Sequence, residues 1–237
     1  MPDEWMQSVA MEMNLAETAF IQRQGDGYGL RWFTPEVEVP LCGHATLASA
    51  HILWEAGLHS PSEPIRSHTK SGILTCRRSE RDIEMDFPAC PVDETEPPPE
   101  LLAALGGVTA TFVGRTSYSY LVVVENAEAV RNLRPDFRAL KEIPTTAFVV
   151  TSRADDPRFD FISRFFAPAV GIDEDPVTGS AHCCLAPFWA EILGKDSMTA
   201  FQASARGGVV QMRVAGDRVF LGGQAVTVWR GELLAVP

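Results

Sequence analysis

The chain has 237 residues, 22% charged and 46% hydrophobic, values that fit a globular protein with a sizeable core and exclude disorder. Its formal net charge of -11 excludes nucleic acid and anionic membrane surfaces as partners, because binding phosphates takes clustered Lys and Arg; a small molecule is the expected partner. The sequence shows neither an apolar run long enough to span a bilayer nor a basic-then-apolar leader, which points to the cytoplasm, and its five cysteines (Cys42, Cys76, Cys90, Cys183, Cys184) are odd in number and lack paired C-x-x-C spacing, which favours reduced thiols over a disulfide framework or a zinc site.

Taken in chain order, Trp5, Met6, Val9, Ala10 and Met13 fall at helical spacing and predict a helix over residues 3–13. A strand carrying Glu17, Ala19 and Ile21 follows, then a turn at Gly25 to Gly27 and a strand through Leu30 to Phe33. Gly43 opens a second helix that stops at Gly57. Its Ala45, Leu47, Ala48, Ile52 and Leu53 predict a helix enclosed on its faces. Residues 65–87 read as a β-meander broken at Ser71-Gly72 and Arg81-Asp82, with Ile83, Met85 and Phe87 alternating against Glu84 and Asp86. Pro97-Pro98-Pro99-Glu100 starts a short helix that Gly106-Gly107 ends, and the boundary between two lobes, 1–100 and 101–237, falls here. The second lobe offers strands near 111–113, 118–124 and 147–151, a polar helical stretch over 127–141, and a helix over 179–193 kinked at Pro187. Residues 209–228 read as a hairpin turning at Ala215-Gly216-Asp217, with a bend at Gly222-Gly223.

One pattern occurs twice. Arg31-Trp32-Phe33-Thr34-Pro35 leads into Cys42-Gly43-His44-Ala45, and Arg164-Phe165-Phe166-Ala167-Pro168 leads into Thr178-Gly179-Ser180-Ala181. Each copy is an aromatic strand, a Pro-containing turn, and a Gly that opens a helix ending near Trp54 or Trp189. Such a duplication predicts two similar halves around a pseudo-two-fold axis, with two helix N-termini facing one cleft. The unpaired N–H groups and positive dipole end of a helix suit a carboxylate or a developing enolate.

Asn14-Leu15-Ala16-Glu17-Thr18-Ala19-Phe20, Leu41-Cys42-Gly43-His44-Ala45-Thr46-Leu47-Ala48, Glu174-Asp175-Pro176-Val177-Thr178-Gly179-Ser180-Ala181 and the late Gln202-x-Ser204-x-Arg206-Gly207 together resemble the phenazine biosynthesis PhzF-like family. The resemblance runs through nearly the whole chain. It implies an α+β fold of the diaminopimelate epimerase type: two barrel-like lobes, each a mostly antiparallel sheet around a central helix. It also implies a cofactor-independent isomerase that uses no metal, with Glu17 as the acid/base residue and His44, Asp175 and Ser180 completing the polar site. Gly43, Ala45, Thr178 and Gly179 are the implied substrate-binding positions, and a homodimer is common in the family. Family members begin with an extra strand and turn, with an Asp-Ala-Phe-like start and a Gly-Asn-Pro-Ala stretch. Met1 here falls at the following helix, so the first lobe is expected to bare an edge.

Each of these residues also has a plain structural reading. Glu17 alone reads as a solvated strand glutamate; as a base it needs partial desolvation to raise its pKa toward neutrality. His44 reads as a histidine bonded to a carbonyl near a helix start, although its place after Gly43, mirrored by Ser180 after Gly179, favours a ligand contact or proton relay. Asp175 fits an Asp-Pro turn, and either Ser180 or Thr178 fits a helix cap. His51 and His182 read as packing residues or as residues supporting the site from behind, and Cys183 and Cys184 as small buried hydrophobes. Related racemases of this fold use two opposing cysteines. Cys42 occupies the first such position, but the second motif has no thiol there, so a cysteine racemase ranks below a carboxylate isomerase. A non-catalytic binding protein that kept the cleft is the remaining alternative.

Overall fold

The computed structural model describes residues 1–79 and 82–234. The chain folds into two units, the first comprising residues 1–86 with the C-terminal residues from 222 onward, the second comprising 87–221. The boundary thus falls at residue 86 rather than 100, and the residues from 222 onward join the first unit; local hydrogen bonds account for the difference. In the second unit Ala89 N–H donates to the Asp217 carbonyl and Cys90 N–H to the Cys183 carbonyl. In the first, Thr227 Oγ1 donates to Glu55 at 2.5 Å and contacts His51 Nε2 at 3.1 Å, so the C-terminal segment lies along the helix that ends at Glu55.

The first unit begins with α1 (Asp3–Met13), which buries Met6 and Ala10 against Phe20 and Phe33. Its predicted fifth inner position, Met13, is exposed in the last turn, and Asn14 closes the helix in the left-handed conformation at φ 49° that a short polar side chain tolerates. There follow β1 (Thr18–Gln24), β2 (Gly27–Phe33), β3 (Glu38–Val39), α2 (Gly43–Glu55), β4 (Ile65–Thr69), β5 (Gly72–Arg78) and β6 (Ile83–Pro88). The strands lie in the order β1-β2-β4-β5-β6, with β3 on β2. Of the expected breaks in this meander, Arg81 lies outside the described residues. α2 buries Ala45, Leu47, Ala50, Leu53 and Trp54 but leaves Ala48 and Ile52 exposed, so it is covered on one broad face and is not enclosed all round.

The second unit contains β7 (Asp93–Glu94), α3 (Leu101–Ala104), β8 (Ala110–Arg115), β9 (Ser119–Val124), α4 (Ala127–Arg131), α5 (Phe137–Glu142), β10 (Ala147–Arg153), β11 (Phe161–Phe166), α6 (Gly179–Leu193), β12 (Ser197–Gln202), β13 (Gly208–Ala215) and β14 (Arg218–Gly223). Its strand order is β14-β13-β12-β11-β10-β9-β8-β7. β9 and β11 are buried at every position and β10 at all but its last, as their near-continuous apolar sequences require. Leu101, Val122, Phe148, Val150, Phe166 and Leu140 form the core on one side of this sheet. The polar helical stretch expected over 127–141 is two short helices, because Pro135 lacks the N–H a continuous helix needs. Asn126 and Asp136 cap the two pieces by accepting from their first-turn amides. The hairpin turns at Gly216, with φ +61°, but its second strand ends at Gly223, short of the expected residue 228. α6 runs unbroken through Pro187.

The duplicated pattern is a duplicated topology. In the first unit β1 pairs antiparallel with β2, β2 pairs parallel with β4 across the α2 crossover, and β4 pairs antiparallel with β5. In the second unit β10, β11, α6, β12 and β13 repeat the same three pairings. Among the described residues no helix is long and apolar enough to cross a membrane.

Candidate active site

In the first unit Glu17 is the residue immediately before β1, one position outside the strand the sequence predicted it to occupy. Strand pairing of Thr18 with Phe33 holds that segment at the end of the aromatic strand β2. Cys42 is the N-cap of α2, in extended conformation, and its side chain makes no capping bond. Its carbonyl accepts from Thr46 N–H at 3.2 Å and from Thr46 Oγ1 at 2.5 Å, which anchors the first turn of the helix. The helix opens with Gly43 and His44, and the His44 ring turns back toward both neighbours. His44 Nε2 lies 3.0 Å from Glu17 Oε2, and the two ring nitrogens lie 3.7 and 3.8 Å from Cys42 Sγ. The Glu17 side chain is 8% exposed and that of His44 23%. Their approach has an ion-pair distance without a hydrogen-bond angle, so Glu17 Oε2 is a buried carboxylate oxygen with no hydrogen-bond donor among the described residues. The solvated-glutamate reading of Glu17 therefore fails. Gly43 and Ala45 are buried at the helix start, where the first N–H groups have no acceptor within the helix.

The second unit builds the matching helix start differently. Thr178 is the N-cap of α6, so Ser180, the second residue of the helix, is not the cap. The Thr178 side chain does not cap either: its hydroxyl donates to Asp175 Oδ2. Asp175 is 3% exposed, and its N–H donates to the Phe165 carbonyl, tying the Asp-Pro turn to β11. Fully buried Gln202 organises this turn. Its Oε1 accepts from Thr178 N–H at 2.7 Å, while its Nε2 donates to the Asp175 carbonyl at 2.7 Å and to Thr178 Oγ1 at 3.1 Å. Ser204 Oγ donates to the Pro176 carbonyl and accepts from Gly207 N–H. Ser180 is half-buried, and its carbonyl accepts from Tyr118 Oη at 2.8 Å. Burial pushes the Tyr118 phenol well above its ordinary value, so it stays a neutral donor.

The structure thus brings Glu17, Cys42 and His44 together in one unit, and Asp175, Thr178, Gly179 and Ser180 together in the other. In sequence Gln202 stands out only as part of the late motif, and its organising role is not evident there. The signal was present: Met198, Ala200 and Gln202 alternate as the buried face of β12, and an amide at a buried strand position needs partners.

His51, His182, Cys183 and Cys184 lie outside the Glu17–His44 contact. His51 lies on the outer side of α2 against Thr227 and Glu55. His182 is fully buried, its Nδ1 donates to the Thr178 carbonyl at 2.7 Å, and burial lowers its pKa to about 4. Burial pushes the Cys183 thiol up to about 12 and Cys184 further, so neither is a ready thiolate. Cys42 and Thr178 hold the same N-cap position of the two repeated helices, so a thiol in the first repeat has a hydroxyl as its counterpart in the second.

Comparison with known proteins places these features in a group. The family model described as phenazine biosynthesis-like protein matches residues 1–231. An uncharacterized isomerase of Halalkalibacterium halodurans is 54% identical over 98% of this chain and 88% of its own length. An uncharacterized isomerase of Pseudomonas aeruginosa is 49% identical over 98% of this chain and 87% of its own. Among solved structures, a phenazine biosynthesis PhzF family protein of Enterococcus faecalis superposes with a TM-score of 0.86 at 39% identity, covering 94% of this chain and 84% of that one.

Proposed function

The chain belongs to the phenazine biosynthesis-like family, and from that premise we propose that it moves a proton between two carbons of a small carboxylate-bearing substrate with Glu17 as the acid/base group. The coarse class is that of its relatives: it is an isomerase. A proton on carbon next to a carboxylate or conjugated system leaves slowly, so the reaction needs a positioned base and donors aimed at the charge that forms. In this reading Glu17 takes the proton as the C–H bond breaks and the electron pair enters the conjugated system. The same carboxyl then returns the proton to another carbon as the double bond shifts. His44 orients the carboxyl, and the amides at the α2 start, around Gly43 and Ala45, meet developing negative charge. By resemblance to the family, Asp175, Thr178, Gly179 and Ser180 of the second unit are proposed as substrate-holding residues, with Gln202 fixing their turn. No organic cofactor is part of the scheme.

The observation that carries the reading is the buried Glu17 oxygen facing His44 Nε2 at 3.0 Å at a helix start. Screening small carboxylic acids for stabilisation of the folded protein identifies a substrate, because a ligand that binds only the native state raises Tm by mass action. With that substrate, Glu17→Gln is expected to lower kcat by about 100-fold or more. Ser180→Ala is expected to raise KM. A Glu17→Gln enzyme of normal kcat refutes the assignment.

A further inference from the structure

The side chains of Glu17, Cys42 and His44 offer a carboxylate oxygen, a thiol sulfur and an imidazole nitrogen within 4.8 Å of one another. We propose that these three residues form a binding site for a thiophilic divalent cation, Zn2+ fitting best, and that the bound ion inhibits the isomerase by occupying the Glu17 carboxylate. The binding half of this proposal stands on geometry alone; the inhibitory half rests on the reading of Glu17 as the base.

The donor set is the first argument. Zinc takes Cys, His and Asp or Glu ligands, and three protein ligands with a fourth position left to water is a common arrangement. The hard cations Mg2+ and Ca2+ prefer oxygen ligands, so a thiol beside an imidazole selects against them. Spacing is the second. Tetrahedral zinc with bonds of about 2.3 Å to sulfur and about 2.0–2.1 Å to nitrogen or oxygen separates S from N by about 3.6 Å and N from O by about 3.3 Å. Here sulfur lies 3.7 and 3.8 Å from the two ring nitrogens, and Nε2 lies 3.0 Å from the carboxylate oxygen. Two of the three donor separations are close to those of a tetrahedral site, and the third lies within 4.8 Å.

Burial is the third. Glu17 Oε2 is inaccessible and, among the described residues, has no hydrogen-bond donor, only His44 Nε2 at ion-pair distance, an arrangement that a coordinated cation relieves. Cys42 is 5% exposed, while the His44 side chain, at 23%, leaves an entry route. The formal net charge of -11 favours cations near the chain. The site belongs to one repeat only, because the positions of Cys42 and His44 are taken in the second by Thr178 and Ser180. On coordination the Cys42 thiol loses its proton to solvent, one proton per ion, and no electron is transferred.

The test is titration of the chelator-treated full chain with Co2+, followed by absorption, since a thiolate bound to Co2+ gives a charge-transfer band. One ion per chain with that band is expected, and Zn2+ should displace it. Cys42→Ser should abolish the band, whereas Cys76→Ser should keep it. Glu17→Gln should retain the band but weaken binding by at least about 10-fold, comparable to losses from disturbing a metal's surroundings. Thermal melts of each variant verify folding, and two independent ligand variants guard against one that misfolds. Absence of the band in the natural sequence, or its survival in Cys42→Ser, overturns the site while leaving the proposed catalysis untouched. If Co2+ binds as described but saturating Zn2+ leaves turnover unchanged, the inhibitory half falls, and the kcat of Glu17→Gln decides separately whether the role of Glu17 falls with it.

Discussion

Arg31 and Arg164 hold their carboxylate partners in the same way. Arg31 Nε and Nη2 donate to the two oxygens of Glu38 at 2.8 and 2.7 Å, and Arg164 Nε and Nη2 to those of Glu174 at 2.7 and 2.9 Å. Each guanidinium also lies over the aromatic ring two residues on, Phe33 at 5.1 Å and Phe166 at 5.0 Å. Each such fork ties the aromatic strand to the segment leading into its Gly-initiated helix, so the repeated sequence preserves a repeated strut.

The two struts differ in depth, which sets unequal consequences for truncation. The Arg31 side chain is 30% exposed, that of Arg164 10%, and Arg164 Nη1 also donates to the Leu133 carbonyl. Removing Arg164 strands Glu174, whose side chain is 19% exposed, in a poorly solvated place, while the Leu133 carbonyl keeps Arg134 Nη1 as a donor. Arg164→Ala is expected to cost about 3–5 kcal/mol, and Arg31→Ala about 1 kcal/mol or less. Urea denaturation of the two variants measures the difference; equal losses would contradict it.

Gln202→Leu removes both partners of the Asp175–Thr178 turn while keeping side-chain bulk. Thr178 N–H and the Asp175 carbonyl, both bonded to Gln202 in the native protein, then lose their partners inside the fold. A stability loss of about 2–4 kcal/mol is expected, with faster hydrogen exchange at the Thr178 amide. Normal protection there would show that Gln202 does not organise the helix start.

His182 makes stability depend on pH. Burial lowers its folded-state pKa from the ordinary 6.5 to about 4. As pH falls the unfolded chain therefore takes up the proton first, and acid favours unfolding. The contribution of neutral His182 is complete above about pH 6.5 and is lost progressively down to about pH 4, at most about 3 kcal/mol in all. Denaturation curves at pH 7.5 and 4.5, compared with His182→Leu, isolate the effect, because the variant should narrow the gap between the two pH values. An unchanged gap would assign the acid sensitivity elsewhere.

Much of the fold was legible because its main signal is local. Arg31-Trp32-Phe33 and Arg164-Phe165-Phe166 announce equivalent strands, and Gly43 and Gly179 announce the helices that follow. Misreadings fell where local pattern is silent about neighbours. Ala48 and Ile52 are as apolar as Leu47 and Leu53, yet only the latter pair is covered. Pro135 splits a polar stretch whose periodicity reads as one helix, and Val226, Val228 and Trp229 are apolar without being strand. At the site, the Gly-His and Gly-Ser pairs were visible as motif. The contact of Cys42 and His44 with Glu17 spans more than two dozen residues of chain and depends on strand and helix packing, as does the reach of Gln202 back to Asp175. Such pairings arise from tertiary structure and leave only weak traces in sequence.

The most direct test of the assignment of Glu17 is solvent isotope entry during turnover. In D2O the natural enzyme should place deuterium on the carbon that receives the proton, because in this scheme the Glu17 carboxyl exchanges its proton with solvent between abstraction and return. Glu17→Gln, shown to be folded by its melting curve, should do so at least about 100-fold more slowly. Deuterium entering at the natural rate in that variant would contradict the account, since a different group would then be carrying the proton.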